Sequence, residues 1–291
     1  MGKDEMSTAQ HPLEDYTRSG MIPHIWCNGC GNGIILGEFA RAIDELNFDR
    51  DKIVVVSGIG CIGRISGYTN TDSFHTTHGR ALAFAVGVKA ARPDLKPVVI
   101  SGDGDLFAIG GNHFIHAARR NVDIAVICSN NFNYGMTGGQ SGPTTPIGAF
   151  TTTSRYGNIE HPFNLVHLAA ASGAVYVARW TAIHVKRIRE SMKKAITKKG
   201  FSFVEIITPC PEEYGRRNKI ADPILGMKWL REVSEVRSNI DPIDAVVGPE
   251  KIVVGEFVNV EKPEYSDLLW GQNQSIQAGL DKTGRRTNVT L

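Results

Sequence analysis

Residues 101–140 read SGDGDLFAIGGNHFIHAARRNVDIAVICSNNFNYGMTGGQ, which sets Gly102-Asp103-Gly104 ahead of the pair Asn130-Asn131 with twenty-five residues between them. The apolar run 97–101 reads as a buried strand, 106–120 as a helix and 122–129 as the next buried strand. Both polar clusters therefore end parallel strands. In an open α/β sheet the ligand crevice lies outside the carboxyl ends of the strands, so Asp103 and Asn131 are expected to converge despite their separation in sequence. The outline is that of a diphosphate and metal site. Mg2+ takes near-octahedral oxygen ligands, with one or two from protein and the rest from phosphate and water. Asp103, the Asn131 amide oxygen and a diphosphate can supply them. Gly102 and Gly104 let the backbone approach phosphate, and Asp105 falls beside them as a further contact. The ordinary alternative is a tight turn at Asp103 and an Asx turn at Asn130-Asn131.

The spacing resembles the thiamine diphosphate binding motif, in which GDG is followed by NN at the end of the next strand. By that resemblance Asp103 and Asn131 ligate Mg2+ through their side chains, and Asn133 adds its backbone carbonyl. Met136, Thr137 and Gly138 then border the diphosphate.

Five cysteines stand at positions 27, 30, 61, 128 and 210. The N-terminal segment MGKDEMSTAQHPLEDYTRSG is polar and charged, without the apolar stretch of an export signal. No run approaches the roughly 18 to 20 apolar residues of a membrane helix. A reducing, cytoplasmic setting is expected, where thiols serve as metal ligands, redox centres or core residues rather than disulfides. Cys27-Asn28-Gly29-Cys30 can bring two thiolates to one metal. Cys61, in the strand-end loop SGIGCIGR, lies with Gly60 and Ile62 where the cofactor crevice is expected, and Cys210 ends the strand FVEIITPC. Cys128, inside IAVICSNN, reads as a small buried hydrophobe. Spacing alone leaves Zn2+, a [4Fe-4S] cluster or no metal open for Cys27, Cys30, Cys61 and Cys210.

In combination, CNGCGNG, GIGC, HGRA, GDGD with its NN, YGMTGGQ and TPC look like the β subunit of the 2-oxoacid:ferredoxin oxidoreductases, over about residues 20–215. The resemblance implies one [4Fe-4S] cluster on the four cysteines beside thiamine diphosphate, because electrons leave a carbanion-like adduct singly. It implies decarboxylation of a 2-oxo acid, passage of two electrons through the cluster to ferredoxin, and capture of the acyl group by coenzyme A; the reverse reaction fixes CO2. No glutamate here stands in a motif position to activate thiamine. In the family that residue comes from the α subunit, so a hetero-oligomer is expected, inactive without its α partner. YGMTGGQ and TPCPEEYG look like the members that use 2-oxoglutarate, with pyruvate or branched-chain oxo acids as the alternative. Outside the family stand a cluster-free thiamine decarboxylase or synthase subunit, and a binding scaffold stabilised by Zn2+ on the same cysteines.

His75 and His78, in FHTTHGRA, precede a helix that opens at the crevice, where either can touch diphosphate or substrate. His78 is the candidate catalytic residue. Both can equally cap the helix and satisfy loop carbonyls. Arg64 and Arg80 suit a phosphate or carboxylate by their planar fork, or a structural ion pair. Met136 can shape the pocket or simply pack.

The 32 basic and 30 acidic residues leave a net charge of +2 over 291 residues, without the basic excess of a nucleic-acid binder. Residues 184–199 carry Lys186, Arg187, Arg189, Lys193, Lys194, Lys198 and Lys199 beside Ile188, Met192, Ala195 and Ile196 at helical spacing, an amphipathic helix. Its charges are either a solvated face or a means of attracting an acidic ferredoxin. Strand-like runs at 52–57, 97–101, 123–129, 175–178 and 202–208 alternate with helical patterns at 33–46, 78–91, 106–120, 162–172 and 183–199. That alternation predicts an α/β fold, a mostly parallel sheet with helices on both faces. Residues 132–159 lose periodicity and read as an active-site loop. Beyond Cys210 the pattern weakens to a polar stretch at 211–222, a short helix at 224–233 and a strand at 251–258, a tail expected to pack against a partner. Residues 1–291 thus read as one catalytic domain, with a core of about 20–215 and a C-terminal extension at 216–291.

Overall fold

Runs such as IVVVS and AVICSN show no polar alternation, so strands made from them must be covered on both faces. They are used that way. The computed structural model describes residues 14–237, 240–277 and 279. Its strands are β1 (Ile53–Ser57), β2 (Asp72–His75), β3 (Lys96–Gly102), β4 (Ala125–Asn130), β5 (Asn133–Tyr134), β6 (Gln140–Ser141), β7 (Tyr176–Thr181), β8 (Ser202–Ile207), β9 (Ser234–Val236) and β10 (Ile252–Asn259). Eight of them form one sheet in the order β2-β1-β3-β4-β8-β7-β10-β9, while β5 and β6 pair as a separate small hairpin. From β2 to β7 all neighbours are parallel; β10 joins β7 antiparallel.

The helices are α1 (Asn32–Leu46), α2 (Ala81–Ala91), α3 (Gly111–Arg119), α4 (Leu165–Ala171), α5 (Val185–Thr197), α6 (Pro223–Val233) and α7 (Tyr265–Gln277). Successive residues of one strand feed opposite layers. Ile53 and Val55 of β1 join a core with Ile35, Phe39 and Ile43 of α1 and Ile188 and Met192 of α5. Val54 and Val56 join another with Leu82 of α2, Phe114 of α3 and Leu165 of α4. Each such side chain, fully buried, contributes about 1.5–3 kcal/mol, so the two-layer cover is what stabilises the parallel sheet. No helix among the described residues is long and apolar enough to cross a membrane.

Several expected elements change on folding. The helix expected over 106–120 is broken: Gly104–Ile109 winds as a wider π-helical turn, and α3 begins only at Gly111. A Cβ at Gly110 would stand 2.3 Å from the Asp105 carbonyl oxygen, so the two turns meet too closely for any side chain there. The helix expected from His78 starts at Ala81, because His78 and Gly79 are drawn into a turn around Asp105. Asp123 lies before β4 rather than in it, buried in an ion pair with Lys89 at 2.7 Å. The edge strand β2 was not foreseen; its sequence DSFH is mostly exposed and carries no apolar run. Nor was α7.

Part of the tail after Cys210 packs within this chain. Ile252, Val253 and Val254 are buried in this chain's own sheet. The basic run of α5 is largely neutralised where it stands: Arg189 pairs with Glu38 and Glu45, Lys193 with Glu45 and Glu190, Lys194 with Glu256, Lys198 with Glu261 and Lys199 with Asp267.

Candidate active site

The parallel strands β1, β3, β4 and β8 end on the same side of the sheet, and the turns that follow them meet there. Between them lies a cleft of about 620 Å³, open mouth included. It is lined by Gly60, Cys61 and Ile62 after β1, by His78 before α2, by Gly102, Asp103, Gly104 and Asp105 after β3, and by Asn131, Asn133, Met136 and Thr137 after β4. Gly138, expected with them, is not part of the lining; at a φ of +110° it serves the turn instead. His75 stays on the exposed strand β2 and Arg64 is exposed. Arg80 pairs with no carboxylate among the described residues: its guanidinium bonds the main-chain oxygens of Gly79 and Ile109 at 3.2 and 3.4 Å.

Asp103 is 3% exposed, and its Oδ2 accepts a hydrogen bond from Thr144 Oγ1. Burial pushes its carboxyl up to about 7, with the Thr144 hydroxyl and the Gly104 main chain drawing it partway back. In the same cleft Asn133 Oδ1 is buried without a hydrogen-bond partner. A buried carboxylate short of positive charge fits a hard cation, which takes oxygen ligands and reverses the local charge balance, and the unpartnered Asn133 amide oxygen adds polar capacity beside the assigned Asn133 main-chain carbonyl. A Cβ on Gly104 would stand 2.2 Å from the Tyr134 ring, whereas at Gly102 the nearest neighbour is 3.8 Å away. Gly102 is therefore the glycine whose bare backbone stays open to a diphosphate.

Asp105 has a different part. Its Oδ1 accepts from the Gly79 and Ile59 main-chain N–H groups at 2.7 and 3.1 Å and lies 2.7 Å from His78 Nδ1. Its Oδ2 accepts from Ser101 Oγ at 2.8 Å. With four donors from the chain, this carboxylate knits the loop after β1 to the entry of α2 and holds the His78 ring by one nitrogen, leaving Nε2 for other use.

A second cavity of about 750 Å³ adjoins the cleft, lined by Cys27, Cys30, Cys61 and Cys210 with Trp26, Glu212 and Glu213. Cys61, Asn131, Gly135 and Met136 line both spaces and form the wall between them. Trp26 Nε1 donates to the Cys61 main-chain oxygen at 2.6 Å, tying the Cys27–Cys30 turn to the loop after β1. Burial pushes the Cys30 thiol up to about 12 and the Cys61 thiol up to about 11, and burial followed by Glu212 raises Cys27. Thiolates here lack compensating positive charge, which bound metal supplies. Among the described residues no group of three or more His, Cys, Asp or Glu side chains is placed to hold a metal ion; the four thiols line one cavity. Cys128 is fully buried in the core of the opposite face.

The sequence reading missed Thr144, Tyr134 and Glu205. Thr144 sits in the aperiodic GPTTP stretch, where nothing local marks it. Glu205 did carry a signal, a lone acid inside the apolar strand FVEIITP.

Residues 58–206 match the family described as thiamine pyrophosphate enzyme, C-terminal TPP binding domain. Over 259 residues the chain is 52% identical to the 2-oxoglutarate synthase subunit KorB of Methanocaldococcus jannaschii, covering 89% of this chain and 96% of that one. The chain belongs to the β subunits of the 2-oxoacid:ferredoxin oxidoreductases. The KorB subunit of Methanothermobacter marburgensis is 47% identical to this β subunit over 276 residues, 95% of this chain and 97% of its own. Among solved structures, the 2-oxoglutarate:ferredoxin oxidoreductase from Magnetococcus marinus with 2-oxoglutarate, coenzyme A and succinyl-CoA bound gives a TM-score of 0.82 at 33% identity, covering 96% of both chains. This β subunit is accordingly part of an oxidoreductase that acts with an α partner, and its fold is that of the thiamine diphosphate enzymes.

Proposed function

We propose that this β subunit holds thiamine diphosphate, Mg2+ and one [4Fe-4S] cluster and, with its α partner, oxidatively decarboxylates 2-oxoglutarate with coenzyme A to succinyl-CoA, CO2 and reduced ferredoxin, reversibly. The wall shared by the cleft and the cysteine cavity carries the reading, since a cluster on the cysteines would lie directly beside thiamine diphosphate in the cleft. The preference for 2-oxoglutarate is supported by the names of the relatives at 52% and 47% identity. When bound, thiamine diphosphate supplies carbanion stabilisation and the cluster accepts electrons singly.

The chain's own residues position and balance these groups. Asp103 and Asn131 offer side-chain oxygens to Mg2+ and Asn133 its carbonyl, while Cys27, Cys30, Cys61 and Cys210 offer thiolates to the cluster. Gly60, Ile62, Gly102, Met136 and Thr137 border the cofactor. His78, held through Nδ1 by Asp105, has Nε2 available to donate or accept a proton at the reacting end. The activating glutamate is assigned to the α partner, as the family resemblance implies, and no glutamate is among the residues lining the cleft. We take 1–291 as one catalytic domain working in the cytoplasm.

Anaerobic co-purification with the α partner, followed by iron, sulfide, zinc and thiamine analysis, tests the reading. Four irons and one thiamine per copy, with dye reduction dependent on 2-oxoglutarate and coenzyme A, are expected. Faster turnover of pyruvate would overturn the substrate, and zinc without thiamine would overturn the enzyme reading altogether.

A further inference from the structure

Arg179 of β7 and Glu205 of β8 are register partners on adjacent strands, both 0% exposed, with Arg179 Nε 2.6 Å from Glu205 Oε2. A buried pair of this kind adds little net stability, because desolvating two charges costs about what their attraction returns. Its placement is more informative than its strength. The guanidinium is fixed on its far side by the Ala245 main-chain oxygen at 2.7 Å and Asn164 Oδ1 at 2.9 Å. Glu205 Oε1 accepts from Asn130 Nδ2 at 2.8 Å, and Asn130 is the residue that ends β4.

From Asn130 the network reaches the cleft by two routes. Its Oδ1 accepts the main-chain N–H of Phe132 at 3.1 Å and faces Thr144 Oγ1 at 2.9 Å; the one Thr144 proton is shared between the competing acceptors Asn130 Oδ1 and Asp103 Oδ2, so the way Glu205 orients the Asn130 amide bears on the bond to Asp103. Phe132 has a φ of +63°, a left-handed conformation that costs a non-glycine residue on the order of 1–3 kcal/mol. The bond to Asn130, a 2.6 Å hydrogen bond from Thr145 Oγ1 to the Phe132 carbonyl and the ring's burial against Tyr214 hold it there. This strained residue stands between Asn131 and Asn133, both of which line the cleft.

We infer that Glu205, anchored by Arg179, is a positioning residue for the cation-and-diphosphate end of the cleft: through Asn130 and Thr144 it fixes the Asp103 carboxylate and the Phe132 turn that presents Asn131. Glu205 acts from the next strand, through other residues. The inference rests on the reading of Asp103 and Asn131 as ligands of the cation.

The test uses the complex with its α partner and Mn2+ as probe, an oxygen-seeking stand-in for Mg2+. Mn2+ is titrated with thiamine diphosphate present and followed by calorimetry and electron paramagnetic resonance, alongside thermal unfolding of the cofactor-free complex. Thr144→Val removes the hydroxyl at nearly constant shape, Thr144→Ser restores it, and Glu205→Gln removes the charge while keeping an acceptor for Asn130. Thr144→Val and Glu205→Gln are expected to weaken Mn2+ binding by about 10–100-fold, the usual cost of losing a partner of a metal ligand, and to change the Mn2+ spectrum. Thr144→Ser should bind like the parent. If Thr144→Val and Glu205→Gln bind Mn2+ as the parent does while Asp103→Asn has lost it, the positioning role is overturned and the site stands. Undiminished binding by Asp103→Asn overturns the site itself. Should Glu205→Gln fail to fold, the Thr144 pair decides.

Discussion

Met136 and Cys61 both line the cleft and the cysteine cavity, and the Met136 main chain tempers the rise that burial imposes on the Cys61 thiol. Hydrogen bonds to ligand sulfurs are one of the protein's levers on cluster potential. On the proposed reading, the turn that would border thiamine diphosphate also acts on a thiol that would hold the cluster.

Cys61→Ser in the anaerobically prepared complex should therefore lose iron and sulfide and also bind thiamine diphosphate less tightly, since the same residue walls both sites. Cys128→Ala, a change in the far core, should keep both. Iron, sulfide and thiamine measured on one sample check this, and full iron in Cys61→Ser would remove it from the ligand set.

Asp105 and His78 should separate stability from turnover. Removing the Asp105 carboxylate strands the buried Gly79 N–H and Ser101 hydroxyl, each costing about 1–3 kcal/mol when left unsatisfied, and frees the part-buried Ile59 N–H and His78 ring, so Asp105→Ala is expected to be clearly destabilised in urea. His78, with a side chain 39% exposed, should cost little stability when changed to Ala but lower kcat. Unchanged kcat in His78→Ala would return the ring to a purely structural part.

The cofactor-free complex should show an unusual pH response. Asp103 is raised to about 7 by burial, so the folded state favours its protonated form. Its contribution is fully present below the ordinary carboxylate value of roughly 4 and is lost as pH rises through the folded value. Calorimetric Tm should thus fall more steeply between about pH 4 and 7 in the cofactor-free parent than in Asp103→Asn. Mg2+ with thiamine diphosphate should flatten the fall, because the cation prefers the ionised form. Parallel curves for the two proteins would refute the assignment.

Along α5 the expectation is a small effect. Exposed pairs such as Lys194 with Glu256 are worth about 0.2–1 kcal/mol, and their charges are already balanced within the chain. Changing Lys194 and Lys198 to Ala together should leave KM for ferredoxin near the parent value in steady-state assays; a severalfold rise would restore a steering role to this helix.

What the sequence made legible was whatever depended on neighbours along the chain. The uniform apolar runs at β1, β3, β4 and β8 gave the parallel sheet, and its topology rule alone brought Asp103 and Asn131 into one cleft. The cysteine set came from resemblance, because spacing left zinc and cluster equal. What stayed hidden depends on contacts across the fold. Thr144 reaches Asp103 from forty-one residues away. Asp105 lines the cleft as a cofactor contact should, but its four donors from distant parts of the chain have no local signature. The π-helical turn after β3 arises from the close approach of Asp105 and Gly110, which no propensity encodes.

The antiparallel strand β10 has a consequence for handling the protein. Without it β7 would end the sheet with a row of unpaired main-chain donors and acceptors, a template on which strands from other molecules can add. Residues 252–259 thus act as a built-in stopper. A shortened chain that keeps every cofactor contact but ends before Ile252 should form higher-order aggregates, so efforts to trim this subunit for crystallisation or engineering should start beyond Asn259.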